Sequence, residues 1–128
     1  MVDAISVSLS ALSAATRKTS VAANNIANAG SAGTRDTAYT PQDVINVTNE
    51  TGGVSTRVQN RDPAHVLIHD PGSPQADSDG NVAVPNVDLV TEAITMKTAE
   101  IAYRASAKVM GVAHRMQDDL QRLFDEKA

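Results

Sequence analysis

The residues able to do chemistry are few, and their spacing decides what they can do. His65 and His69 are four apart, the separation at which a helix sets two imidazoles on one metal ion. Here Val66-Leu67-Ile68 lies between them and Pro63 and Pro71 outside them, which reads as a strand. At ~3.3 Å per residue the two rings would start ~13 Å apart, so a shared metal is not expected. Asp77-Ser78-Asp79-Gly80-Asn81 places carboxylates at alternate positions before a glycine, as calcium loops do. No Glu lies between Glu50 and Glu92 to close such a shell, and a plain Asx and glycine turn is favoured. There is no Ser-His-Asp set, no Gly-rich phosphate loop and no cysteine. An enzyme, a cofactor, a metal centre and a small-molecule substrate are all unsupported.

The remaining unusual polar residues are Asn24, Asn25 and Asn28, poor helix formers inside a segment that otherwise reads as helix. Residues 2 to 29 contain neither Pro nor Gly, and Val2, Ile5, Leu9, Leu12, Thr16, Thr19, Ala23 and Ile26 recur at alternating spacings of three and four. That heptad seam predicts a helix with one stripe packed on another helix. Asn28-Ala29-Gly30 supplies a stop, with Gly or Asn free to take the left-handed conformation. The asparagines then have two readings. They are caps at a fraying end, or they are amides hydrogen-bonded across helix interfaces, where they fix register.

The second long element starts after Pro85, with Asn86 or Asp88 as N-cap. From Val87 through Val90, Ile94, Thr98, Ile101, Ala105, Val109, Val112, Met116 and Leu120 to Leu123, apolar or small residues follow an 11-residue repeat. The period predicts a nearly straight stripe ~54 Å long. The first helix reaches at most ~40 Å, so the stretch Met116 to Phe124 is expected to meet other chains or solvent. Between the helices, residues 30–42 read as a connector and 43–85 as a small β module. Val44–Thr48 and Val54–Val58 flank Asn49-Glu-Thr-Gly-Gly53 as a hairpin, His65–His69 is a third strand and Val82–Val84 a fourth. The expected fold is mainly α, with long N- and C-terminal helices packed antiparallel as a coiled coil and short β-strands between them.

Composition points the same way. Of 128 residues, 20 are Ala and 14 Val, with no Trp and one Phe, so the core is thin and marginally stable without neighbours. Net charge is −4, made of +2 in residues 1–35, −6 in 36–88 and zero in 89–128. No basic patch for nucleic acid exists. The start lacks a cleavable signal and no stretch is apolar enough to span a membrane, so any export is expected to use an uncleaved signal.

Ala23-Asn24-Asn25-Ile26-Ala27-Asn28-Ala29 resembles the N-terminal signature of bacterial flagellar axial proteins, the rod and hook family. Asp70-Pro71, Ser73-Pro74, Ala76 to Val82 and Pro85-Asn86-Val87-Asp88 resemble the corresponding stretch of its short proximal-rod members, and Ala102-Tyr103-Arg104-Ala105 resembles the family's helix motif around a tyrosine. Two departures stand out: Ser106 where many relatives carry Asn, and Gly30-Ser-Ala-Gly-Thr34 in place of Thr-Pro-Gly-Tyr, with Tyr39 the candidate counterpart. The resemblance implies a rod subunit exported by the flagellar type III apparatus, placed in the periplasmic part of the basal body, and assembled with copies of itself and other rod proteins into a torque-transmitting tube. Its candidate interface residues are Ile5, Leu9, Leu12, Asn24, Asn25, Ile26, Asn28, Ile94, Ile101, Tyr103, Val112, Met116, Leu120 and Leu123. A coiled-coil adaptor forming a closed oligomer is the alternative.

Overall fold

The computed structural model describes residues 2–125. Helix α1 spans Val2–Asn28, strands β1 Gln42–Thr48, β2 Val54–Asn60, β3 His65–His69 and β4 Asn81–Pro85, and helix α2 Leu89–Asp125. The fold is mainly α: the two long helices pack on each other, and two antiparallel hairpins, β1–β2 and β3–β4, lie between them in sequence.

The hairpins follow from local chemistry. β1 and β2 pair from Gln42 opposite Asn60 to Thr48 opposite Val54. Their turn needs positive φ at Gly52 and Gly53, φ 89° and 79°, which glycine adopts without steric penalty. β3 and β4 pair from His65 opposite Pro85 to His69 opposite Asn81. Their long connection is folded by Asp77, whose Oδ1 accepts the backbone N–H groups of Asp79 (3.0 Å) and Asn81 (2.8 Å). The carboxylate is thus the Asx turn favoured above a calcium ligand. His65 and His69 stay apart, His65 against the Tyr39 carbonyl (3.2 Å) and His69 near the Asn81 side chain (3.4 Å).

α1 stops at Asn28 without a left-handed residue, since Gly30 does not take positive φ. The end is closed by side chains instead: Asn28 Nδ2 donates to the Asn24 carbonyl (2.9 Å), and Ser31 donates its hydroxyl to the Asn28 carbonyl (2.6 Å). At the start of α2, Asp88 is the cap, its Oδ1 accepting from Val90 (2.8 Å) and Thr91 (2.9 Å). Chiefly the Thr91 bond, then that of Val90, holds the Asp88 carboxyl below the ordinary carboxylate range. The folded pKa is depressed, so the cap's contribution is present above the ordinary value and is lost as pH falls through the lower folded value. Asp88→Ala is expected to speed amide exchange at Val90 and Thr91, and acidification is expected to do the same to the parent chain only; equal protection in the two chains at neutral pH would disprove the cap.

The helix pair departs from expectation in which faces meet. The sequence predicts the heptad seam of α1, from Val2 to Ile26, facing the 11-residue stripe of α2. The intramolecular seam is instead Ser8, Leu12, Ala15, Ala22 and Asn25 of α1 against Glu92, Ala99 and Ala113 of α2, all buried, with Met96, Ser106 and Met110 half-buried beside them. Leu9 is 60% exposed, and Thr16 and Ala23 are exposed. Only Leu12 of the larger expected residues lies fully inside; Ile5, Thr19 and Ile26 are half-buried, and the Val2 side chain lies outside the described residues. Small residues win the inner seam because they let two helix backbones approach closely, gaining dispersion contacts that Leu or Ile would hold apart.

Candidate functional site

Two features remain once the helices and hairpins are in place: a buried polar hub inside the chain and an apolar stripe outside it.

The hub forms where α1, the connector, β1, the end of β2 and the first turn of α2 converge. Asn25 is 0% exposed. Its Nδ2 donates to the Gln42 carbonyl (2.8 Å) and to Glu92 Oε1 (3.1 Å), and its Oδ1 accepts from the Tyr39 hydroxyl (3.0 Å) and the Gln42 N–H (3.1 Å). Two donors and two acceptor sites are the whole capacity of an amide, and all are used. Burial, then the nearby Glu92 charge, pushes the Tyr39 hydroxyl's pKa up. Glu92 is itself 3% exposed, a charge that needs a partner there. Arg61 supplies it: Nη2 donates to Glu92 Oε1 (2.7 Å) and to Asp43 Oδ1 (2.6 Å), Nε to Asp43 Oδ1 (3.2 Å), and Nη1 to the Asn86 carbonyl (2.9 Å). The Asp43 hydrogen bonds, with those to Glu92, raise the Arg61 pKa further above its ordinary value against the opposing effect of burial. No buried side-chain nitrogen or oxygen among the described residues lacks a partner. A cleft of about 240 Å³ opens beside the hub, lined by Lys18, Asp43, Arg61 and Glu92 among others, but both carboxylates are bound to Arg61, so the arrangement is a structural clamp. Among the described residues no cluster could hold a metal ion.

The outer surface is the opposite in character. Ile94, Ile101, Val109, Val112, Met116, Leu120 and Leu123 of α2 are all exposed, Ile101 at 59%, and so are Val90 and Phe124. The 11-residue stripe read from the sequence is therefore real as a pattern but points away from α1. Tyr103 stands exposed at the flank of the helix pair.

The candidate interface residues consequently divide. Leu9, Ile94, Ile101, Tyr103, Val112, Met116, Leu120 and Leu123 lie on the surface, as does Asn24. Ile5, Ile26 and Asn28 are half-buried. Leu12 and Asn25 are buried within the chain, Asn25 bonding across the α1–α2 contact itself. Arg61, Glu92, Gln42 and Asp43 are not singled out by the sequence, and Tyr39 is read from it only as the counterpart of a connector tyrosine, not as a partner of Asn25. The signals present were a poor helix former inside a long helix and two arginines, Arg57 and Arg61, among the eight acids of residues 36–88.

Long helices at both ends of the chain, joined by small hairpins and carrying an uncovered apolar stripe, define a structural assembly protein. Residues 5–33 match the family model "Flagella basal body rod protein", and residues 78–123 match "Flagellar basal body rod FlgEFG protein C-terminal". The flagellar basal-body rod protein FlgC of Escherichia coli O6:H1 is 35% identical over 84% of this chain and 85% of its own length. Those of Salmonella typhimurium and Yersinia enterocolitica are 34% and 37% identical, over 84% and 79% of this chain and 85% and 81% of their own lengths. The chain belongs to the FlgC family of flagellar basal-body rod proteins.

Proposed function

We propose that this chain is a structural subunit of the proximal part of the flagellar rod, which polymerises with copies of itself and with other rod proteins into a helical tube that carries torque. It reaches the periplasmic part of the basal body through the flagellar type III apparatus, without cleavage of a signal. The observation that carries the reading is the α2 stripe, whose large apolar residues all stand outside the intramolecular seam. Contiguous apolar surface of this extent marks a contact with other chains, and among the described residues no helix is long and apolar enough to put it into a membrane. Assembly is expected to cover the stripe, and the hub to hold the hairpins at a fixed attitude to the helices while it does so.

Ile101→Asp tests this. The side chain is already exposed, so the purified variant should melt within about 0.5 kcal/mol of the parent chain. Cells carrying it as the sole copy should lack complete rods and fail to swim, because burying an unpaired carboxylate between helices is strongly unfavourable. Leu9→Asp should act in the same direction. Normal swimming with Ile101→Asp would defeat the reading, as would sedimentation of the parent chain as a closed, stable dimer or tetramer with no further growth.

A further inference from the structure

The second helix aligns charges that the linear sequence scatters. Lys97, Arg104, Lys108 and Arg115 follow spacings of seven, four and seven. At 3.6 residues per turn all four fall within about 20° of one line, which runs ~27 Å along α2. All four are exposed. Glu100 takes up Lys97 (2.9 Å) and Arg104, whereas Lys108 and Arg115 have no ion partner among the described residues. The nearest carboxylates along the helix, Asp118 and Asp119, stand a turn beyond Arg115, and Asp118 faces His114 (3.6 Å). The line lies on the open side of the helix pair. Glu100 and Arg104 share a groove with Thr16 and Ser20 of α1, while β1 meets Lys18, Val21, Thr91 and Thr95 around a cleft on the opposite side.

Between Lys108 and Arg115 the line has a notch. Gly111 sits mid-helix, where glycine is a poor choice. Nothing beyond the helix's own neighbouring backbone lies within 4 Å of where a Cβ would stand there, so the fold of the single chain does not require glycine at this place. With Ala107 and Val112 it floors a mostly apolar groove of about 480 Å³, flanked by the two unpaired cations. A glycine so placed lets a second backbone come close. Four cations over ~27 Å, with Glu100 among them, are too sparse for a polyanion and suit a compact acidic surface.

The chain carries such a surface. Residues 62–96 hold six acids and no Lys or Arg. Asp70, Asp77 and Asp79 of this stretch stand in the turn between β3 and β4, all exposed and without a cation partner among the described residues. The turn is ordered before any contact. The Asp70 N–H donates to the Gly80 carbonyl (2.9 Å) and the Gly80 N–H to the Asp77 carbonyl (3.0 Å), beside the two bonds to Asp77 Oδ1, so little freedom is lost on docking. Its hairpin joins the hub at the His65 end, packs closely on neither helix, and holds the turn ~16 Å away. Gly111 stands 19 residues beyond Glu92, ~28 Å along α2, so the turn cannot fold onto the notch of its own chain. We propose that the β3–β4 turn of one copy docks in the Gly111 notch of a second copy, with Asp70 and Asp79 facing Lys108 and Arg115. Opposite charge selects the partner and sets which way round it docks. Turn and notch are different patches, so the contact is heterologous and does not close on itself. The proposal rests on the reading of the chain as a polymerising subunit and names one contact within that polymer.

Lys108→Glu with Arg115→Glu, expressed as the sole copy, is expected to shrink the swimming halo roughly fivefold or more, since like charges brought together in a contact are strongly unfavourable. The purified variant should melt with the parent chain, because neither cation has an ion partner to lose. Adding Asp70→Lys with Asp79→Lys should restore at least half of the halo, and those two changes alone should impair it as the first pair does. Independently, a benzophenone amino acid at position 79 should form adducts with residues 104–115 of another copy of this chain in isolated basal bodies. Normal swimming with Lys108→Glu and Arg115→Glu, adducts solely with a different protein, or assembled rods without a self-adduct would overturn the contact. Should the charge swap fail to fold or to restore swimming, the benzophenone variant decides. Rods lost with Ile101→Asp but formed and working with Lys108→Glu and Arg115→Glu would retain the subunit reading and remove this contact.

Discussion

Asn25→Ala is expected to destabilise the chain by about 3–4 kcal/mol. The amide it removes is completely buried and joined to Gln42, Tyr39 and Glu92 by four hydrogen bonds. Each buried group left without a partner costs about 1–3 kcal/mol. Two of the four lost partners are the N–H and C=O of Gln42, the first residue of β1, so the loss loosens the anchor of the β1–β2 hairpin on α1. Against a total stability that for most domains is about 5–15 kcal/mol, and with a core made largely of Ala and Val, this is a large fraction. Urea unfolding followed by circular dichroism measures it. Asn25→Asp sharpens the argument because it keeps the shape and removes only the donors. A carboxylate would then face Glu92 at the distance where Nδ2 now donates, so Asn25→Asp should be markedly less stable at neutral pH and should regain stability on acidification, the opposite trend to the parent chain. Asn24→Ala, at the exposed position next to Asn25 in the chain, should leave stability unchanged. A loss of less than 1 kcal/mol for Asn25→Ala would show that the hub does not hold the hairpin to the helices.

The two neighbouring asparagines show where a sequence is legible and where it is not. That residues 2–29 form a helix follows from the absence of breakers and the apolar period, and the hairpins follow from β-branched runs around Gly52 and Gly53 or between prolines. Those are local properties, and local physics decides them. Which face of each helix turns inward is a different matter. Periodicity detects an apolar stripe, but what covers the stripe depends on whether the rest of the fold or a neighbouring chain supplies the partner. In α2 the Ile94, Ile101 and Val112 side of the helix is left outside, while Ala99 and Ala113 line the inner seam. A rule that buries the largest residues first therefore selects the wrong face in a chain whose large α2 residues stand outside the intramolecular seam. The hub was illegible for another reason. Asn25 and Glu92 are 67 residues apart and Arg61 and Asp43 are 18 apart, and no spacing rule connects an amide in one helix with a carboxylate in the first turn of another. The available hints were a poor helix former inside a long helix and two arginines in an acidic stretch.

Arg61→Met should destabilise the chain by about 3–5 kcal/mol, the range for stranding one partner of a buried ion pair. The asymmetry between its two carboxylates explains why. Asp43's side chain is 41% exposed and Glu92's only 4%. Water can take over from Arg61 at Asp43 but not at Glu92, so the penalty falls almost entirely on Glu92. Adding Glu92→Gln to Arg61→Met removes the stranded charge and keeps an oxygen for Asn25, and it should therefore recover more than half of the loss. Glu92→Gln alone should be milder than Arg61→Met, since Arg61 keeps Asp43 and the Asn86 carbonyl. The four chains form a double-mutant cycle, with unfolding free energies from urea titration as the measurement. Additive single effects would mean that Arg61 acts through Asp43 and the hairpin alone. A coupling above 1 kcal/mol assigns the clamp to Arg61 and Glu92, and with it the attachment of the hairpins to the helix that carries the exposed apolar stripe.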